Sequence, residues 1–374
     1  MSFRYASAIN KPGFNALGVQ TTTTLYNLFG WGGNTYGQLG LGNTTSYSSP
    51  KQVDSLTTWL NVASGYFSLS TKTDGTLWSW GRNNLGQLGI GNTTNNSLPV
   101  QIGALTTWST VSTGGSSAMS IKTDGTLWTW GYNAYGQLGL GDSGAYTNRS
   151  SPVQVGTLTT WSKTAMGNAH CVAIKTNGSL WSWGRNQYGQ LGQGNTTDLS
   201  SPVQVGALTT WASIAAQDNT LAIKTDGTLW VWGYNALGQL GLNNVTYYSS
   251  PKQVGALTNW LQVSSGSNQT LAVKTDGTLW SWGNNGLGQL GLGNTTTYSS
   301  PKQIGALTTW SATSTFAATF AIKTNGTLWS WGYNAQGQLG LGNTTYYSSP
   351  KQVGIATTWL KVNTRNNTSV IAIG

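Results

Sequence analysis

The sequence predicts an all-β fold, a seven-bladed β-propeller with four-stranded blades, on three observations. The tetrapeptide Gly-Gln-Leu-Gly occurs seven times, with its Gln at 38, 87, 137, 190, 239, 289 and 338. A period near fifty residues marks a repeat architecture. Each full copy opens as an alternating run such as Leu77-Trp78-Ser79-Trp80, whose period of two belongs to a strand. The third observation is a mismatch. Seven Thr-x-Trp strands (Trp59, Trp108, Trp161, Trp211, Trp260, Trp310, Trp359) accompany the seven loops, but only six Asp-Gly or Asn-Gly hairpins do. The missing hairpin would join Ser369–Ile373 to Leu25–Trp31. One blade is therefore expected to be completed by strands from both chain ends, which closes the ring and removes its open edges.

Two parts follow in order, an N-terminal docking arm at 1–24 and the propeller at 25–374. The arm carries Arg4, Tyr5, Lys11 and Phe14, no acid, and a Pro12-Gly13 turn signal, without helical or strand periodicity. Alone it cannot bury enough to offset its ordering entropy, so it is either disordered or held by another chain. In the second unit the four expected strands are Pro99–Ile102, Thr107–Val111, Ala118–Thr123 and Thr126–Trp130. Asp124-Gly125 between the last two reads as a type I′ hairpin, with positive φ at both positions. The same turn recurs at Asp74, Asn177, Asp226, Asp276 and Asn325. Every tryptophan of the 20 falls on a repeat position, so packing between blades is their expected role. In the Gly-Gln-Leu-Gly loop the glycines set turn geometry, Leu enters the core and Gln satisfies loop backbone groups.

Composition narrows function by exclusion. The chain holds 18 Lys and Arg against 8 acids, all of them Asp, yet charged residues are only 7% of the total. A surface of Thr, Ser, Asn, Gln and Gly follows, a composition common in adhesins and virus fibres. Cys171 is the single cysteine, which excludes an internal disulfide and a multi-Cys zinc site. No signal peptide and no membrane span are expected. Four Asp (Asp74, Asp124, Asp226, Asp276) are explained by hairpin turns, and Asp54, Asp142, Asp198 and Asp218 fall in four different units. They supply no carboxylate pair, and His170 beside Cys171 would point to the opposite face of its strand. A non-enzymatic protein without cofactor or metal is expected. The net charge of +10 could suggest nucleic acid, but six lysines (Lys72, Lys122, Lys175, Lys224, Lys274, Lys323) recur at the hairpins. They read as a spaced ring of solvated repeat lysines, and no nucleic-acid partner is expected.

The stretch Leu127–Gly139, Leu-Trp-Thr-Trp-Gly-Tyr-Asn-Ala-Tyr-Gly-Gln-Leu-Gly, closely resembles the regulator of chromosome condensation repeat family. The downstream Pro-x-Gln-Val and the Asp-Gly hairpin extend the likeness over 25–374. The resemblance implies a seven-bladed propeller. It does not carry the family's activities over. The Gly-x-x-His-Thr pattern before the third strand survives only as Gly167-Asn168-Ala169-His170-Cys171. The Trp-Arg pair of the family's plant photoreceptor is absent. So are the Glu, the additional His and the long insertion that nucleotide exchange on the Ran GTPase would use. The arm segment Ala8–Asn15 resembles the start of structural proteins from marine cyanobacterial tailed phages.

One asymmetry remains. Tyr47, Tyr247, Tyr248, Tyr298, Tyr346 and Tyr347 are expected in the loop before the first strand of units one, five, six and seven. The same units carry Lys51, Lys252, Lys302 and Lys351, whereas units two to four have Pro-Val. Around a closed ring these four units are contiguous. The sector is either a trace of recent duplication or a binding surface, since Tyr rings with Lys suit a sugar or an acidic protein face. The expectation is a tailed-phage virion protein, a capsid decoration or tail-fibre component for host attachment. Its arm would dock on other virion proteins and its sector would meet a host-surface glycan or protein. The alternative is a carbohydrate-binding adhesin, extracellular or on a bacterial surface, and the third reading is a GTPase regulator.

Overall fold

A computed structural model describes residues 26–144, 146–366 and 368–374, which form seven four-stranded antiparallel sheets and no helix. The arm with Arg4, Tyr5, Lys11 and Phe14 lies outside the described residues, as does Leu25. The first complete blade runs outward as Trp59–Ser64, Phe67–Lys72, Leu77–Gly81 and Asn96–Gln101. Inner strands of all the blades contribute small side chains, among them Ala63, Ser112, Thr164, Ala215 and Ser264, to a central channel of about 200 Å³. In the second unit the inner strand is not the expected Thr107–Val111 but the two residues beyond it, Ser112–Thr113. There the Ser109 and Thr110 amides both donate to Ile121 O, a bulge that leaves Trp108 bridged to Lys122.

The ring closes as the hairpin count requires. Leu28–Gly32 pairs antiparallel with Ser369–Ile373, in register from Leu28↔Ile373 to Gly32↔Ser369. The chain ends also replace the missing turn. Asn27 and Gly374 exchange two backbone hydrogen bonds at 3.1 Å, and Tyr26 O accepts from Trp59 N where hairpin glycines such as Gly75 accept from Trp108 N.

The second Trp of each pair joins neighbouring blades. Trp80 Nε1 donates to Gln38 O at 2.9 Å and Trp130 Nε1 to Gln87 O at 3.0 Å. Trp183, Trp232, Trp282 and Trp331 do the same, and Trp31 completes the circle on Gln338 O. These indoles are fully buried. Within each blade the inner-strand Trp meets one of them, edge-on as at Trp59–Trp80, 5.9 Å apart, and tilted at Trp161–Trp183. Such contacts contribute about 0.5–1.5 kcal/mol beyond area burial. The motif Gln does satisfy the loop: Gln38 Oε1 accepts from Tyr36 N and Gln87 Oε1 from Leu85 N, as does its counterpart in every other unit.

The hairpins differ from expectation in two ways. Only the glycine has positive φ, as at Gly75 (77°), so the turn is not type I′. Asp74 Oδ1 accepts from both the amide and the hydroxyl of Thr76, which holds Asp74 in an ordinary conformation and leaves the left-handed one to Gly75. Gly75 N donates to Lys72 O and Lys72 N to Thr76 O, the pattern of a type I turn with a glycine bulge. A Cβ on Gly75 would also lie 2.1 Å from Thr106 O. Secondly, the hairpin lysines do not extend freely into solvent. Lys72 Nζ lies 3.8 Å from the Trp78 ring and 4.6 Å from the Trp59 ring, and all six repeat this sandwich. Burial lowers Lys72, Lys122, Lys175, Lys274 and Lys323 from the usual lysine range.

Candidate binding face

Because the second and third strands of each blade meet at the hairpin, the Gly-Gln-Leu-Gly loops gather at the opposite end. The motif Asn frames them. Asn83 Oδ1 accepts from Leu88 N, while its Nδ2 donates to the carbonyls of Asn92 and Thr94. On this rigid frame three positions vary between units: the x of Trp-Gly-x-Asn, the residue before Gly-Gln-Leu-Gly, and the residue before the outer strand.

These positions assemble aromatic groups with arginines. Tyr188, Tyr234 and Tyr247 form a cluster with ring centroids 4.8, 5.1 and 5.7 Å apart. Arg82 lies over Tyr36 at 5.1 Å and Tyr66 at 5.8 Å, Arg185 over Tyr135 at 4.6 Å, and Tyr333 faces Tyr346 at 5.2 Å. Tyr66, Tyr247 and Tyr346 are each about 40% exposed.

Beside the cluster a polar network reaches the channel mouth. Arg365 crosses from the closing blade to donate to Ala216 O at 3.0 Å and Gln217 Oε1 at 3.3 Å. Gln217 Nε2 donates to Asn168 Oδ1 at 2.8 Å, and Asn168 Nδ2 donates to both carboxylate oxygens of Asp218 at 3.0 Å. Burial raises Asp218 above the usual carboxylate range, opposed by the Asn168 bonds and by Arg185 and Arg365. Burial likewise lowers Arg365 to about 10, so it stays charged at neutral pH. Under this network His170 Nε2 meets Thr220 Oγ1 at 2.9 Å, whereas Cys171 donates to Gln137 O on the other side of its strand. Burial, with Arg365 nearby, lowers His170 to about 3, and burial pushes the Cys171 thiol up. The pair is split between two blades, as alternation predicts.

The Tyr/Lys sector divides in two. Tyr47, Tyr248, Tyr298 and Tyr347 open outer strands, half-buried, with their hydroxyls accepting from Asn43, Asn244, Asn294 and Asn343. Lys51, Lys252, Lys302 and Lys351 lie 5.3–5.6 Å from those rings, on the outer wall. Only Tyr247 and Tyr346 join the loop face. At their position the other units carry Ser46, Asn95, Asn148, Asp198 and Thr297, whose side-chain oxygens accept from the amide of the motif Asn at 2.6–3.3 Å. A tyrosine hydroxyl lies too far from its own Cβ for that bond. These two units exchange a loop hydrogen bond for an exposed ring.

Arg82, Arg185, Arg365 and Tyr36, Tyr66, Tyr132, Tyr135, Tyr188, Tyr234 and Tyr333 were not singled out by the sequence reading. For Arg82, Tyr132, Arg185, Tyr234 and Tyr333 the signal was variation inside the strictest motif, where x is Gly33, Arg82, Tyr132, Arg185, Tyr234, Asn284 and Tyr333. Among the described residues no three His, Cys or acidic groups come together as a metal site, and no helix is long and apolar enough to cross a membrane.

The RCC1-like domain model matches residues 144–373, and two models of the regulator of chromosome condensation (RCC1) repeat match 27–68 with 74–121, and 108–137. No curated protein matches the sequence. Among solved structures, Prp20p from Saccharomyces cerevisiae, described with its binding to Gsp1p and histones, is 20% identical with a TM-score of 0.81, over 94% of this chain and 92% of that one. Human WBSCR16 is 20% identical with a TM-score of 0.83, over 93% and 98%. Yeast RCC1 (Prp20) bound to Kap60 is also 20% identical, with a TM-score of 0.80 over 100% and 96%. At this identity the structures share the fold. With a family model covering more than half of its length, the chain belongs to the RCC1-like domain family.

Proposed function

We propose that this propeller is a non-enzymatic recognition module of a tailed-phage virion, and that its loop face binds a host-surface glycan. The observation that carries the binding role is the Tyr188–Tyr234–Tyr247 cluster beside the Asp218–Asn168–Gln217–Arg365 network. Stacked rings take the apolar face of a sugar, while fixed carboxylate, amide and guanidinium groups take its hydroxyls. The weakly charged, Glu-free composition and the phage-like arm segment support the virion setting. In this reading the arm, through Arg4, Tyr5, Lys11 and Phe14, docks on a neighbouring virion protein. Mass spectrometry of purified particles tests the setting, and deletion of residues 2–20 should leave a folded propeller that no longer joins the particle. Normal incorporation of the deleted chain, or absence of the intact chain from particles, would overturn it.

A further inference from the structure

At the hairpin end the inner-strand tryptophans present an unbalanced set of donors. Trp59 Nε1 donates to Asp54 Oδ1 at 3.1 Å, and Leu56 N donates to the same oxygen at 3.0 Å. The indole N–H groups of Trp108, Trp161, Trp211, Trp260, Trp310 and Trp359 are buried without an acceptor. A buried donor left unpaired costs about 1–3 kcal/mol, and a repeated one requires an explanation.

The residue aligned with Asp54 is glycine in every other unit: Gly103, Gly156, Gly206, Gly255, Gly305 and Gly354. A Cβ at any of them would meet nothing within 4 Å, although their φ of +58° to +61° is a left-handed conformation that Asp54 does not share. In three units the space is a defined cleft between blades, of about 460, 360 and 410 Å³, lined in turn by Trp108 with Lys122, Trp211 with Lys224 and Trp310 with Lys323. Each therefore combines an open glycine lip, an indole without an acceptor and an ammonium over two rings. The first unit shows what group fits this set, because Asp54 also lies close enough to Lys72 to favour its charge.

We propose that the glycine–indole–lysine sites at Trp108, Trp161, Trp211, Trp260 and Trp310 bind carboxylates, for which Asp54 is the built-in counterpart in the first blade. The source is an acidic side chain of a partner or a small free carboxylate. The Trp359 site lacks the ammonium, since Gly374 stands where the other blades have lysine. It is the internal negative control. Lys175 and Lys323 sit beside Asn177 and Asn325 rather than a hairpin Asp, so the Trp161 and Trp310 sites bind most tightly. These sites lie at the opposite end of the ring from the loop face, so loss of either role leaves the other standing.

The test is a set of ¹H–¹⁵N spectra of the full chain labelled in its indole nitrogens, assigned by single Trp→Phe variants. Sodium acetate is titrated against sodium chloride at equal ionic strength. The five indole protons should move downfield saturably, while Trp59 and Trp359 stay. D54G should make Trp59 responsive, and G206D should silence Trp211, so that either variant suffices if the other does not fold. An amidated peptide bearing Asp side chains, run in parallel, separates a protein partner from a small molecule. The proposal is overturned if the five resonances respond to acetate no more than to chloride, or if Trp59 of the unmodified chain responds as they do.

Discussion

The two ends of the ring are built from the same seven units, yet they behave as different materials. At the hairpin end the geometry repeats: a relay runs from Trp78 Nε1 to Thr76 Oγ1 to Asp74, and the complete blades reproduce it at Trp128, Trp181, Trp230, Trp280 and Trp329, with Ser179 and Asn177 under Trp181 and Asn325 under Trp329. At the loop end the frame repeats but its outward positions do not, and they hold Arg82, Arg185 and the tyrosine clusters. In a repeat protein, sameness marks what every blade needs in order to pack, and departure from it marks what only one surface needs.

The comparison breaks most visibly at the joints of the frame. Gln87 O receives only Trp130 Nε1, because Ala118 stands where Thr220 reinforces the bond of Trp232 to Gln190 O. Trp130→Phe should therefore cost about 3 kcal/mol, from a lost ring volume and an orphaned carbonyl, and Trp232→Phe about 2 kcal/mol. Urea melts of the two variants would decide it, and an equal loss would contradict the account of the joints.

Acid should find the frame through its one buried imidazole. His170 is held neutral, so between its ordinary value of 6.5 and the lowered value of about 3 the unfolded chain takes up a proton that the folded one refuses. Stability is thus complete above the ordinary value and declines as pH falls below it, by about 3 kcal/mol near pH 4. His170→Gln should flatten that decline, because Gln269 at the aligned position donates to Thr315 Oγ1 in the same direction. Melting curves from pH 7 to 4 read the difference. Parallel profiles for both proteins would contradict it.

The loop end makes the opposite prediction, that its aromatic rings are held at a small cost to the frame. Tyr247→Asn should restore the bond that Asn95 and Asn148 make to the motif Asn amide, and raise stability by about 1 kcal/mol. The same change removes one ring of the cluster and should weaken binding. A variant that loses stability as well would show Tyr247 to be part of the packing.

Much of the frame was legible because counting and periodicity decide it: six hairpins against seven loops placed both chain ends in one blade. The hairpin type was not, because the Asp74–Thr76 bonds outweigh the generic preference of Asp-Gly for positive φ. Nor was the lysine sandwich, since spacing along a strand does not reveal which rings an ammonium will meet. Of the sector read from sequence, Tyr247 and Tyr346 stand on the loop face, while Tyr47, Tyr248, Tyr298 and Tyr347 are tied into outer strands. Arg365 escaped notice because the closing unit brings it to the channel mouth through contacts some 150 residues away in sequence.

The central claim, that glycan recognition belongs to the loop end, is tested most directly by glycan-array binding of three proteins. These are the unmodified propeller, a hairpin-end variant Lys224→Met, and the loop-face triple variant Y188S/Y234S/Y247S. The first two should retain the same glycans, and the triple variant should lose them more than tenfold while melting within a few degrees of the original. A triple variant that binds as the original does, or an original that retains no glycan, would contradict it.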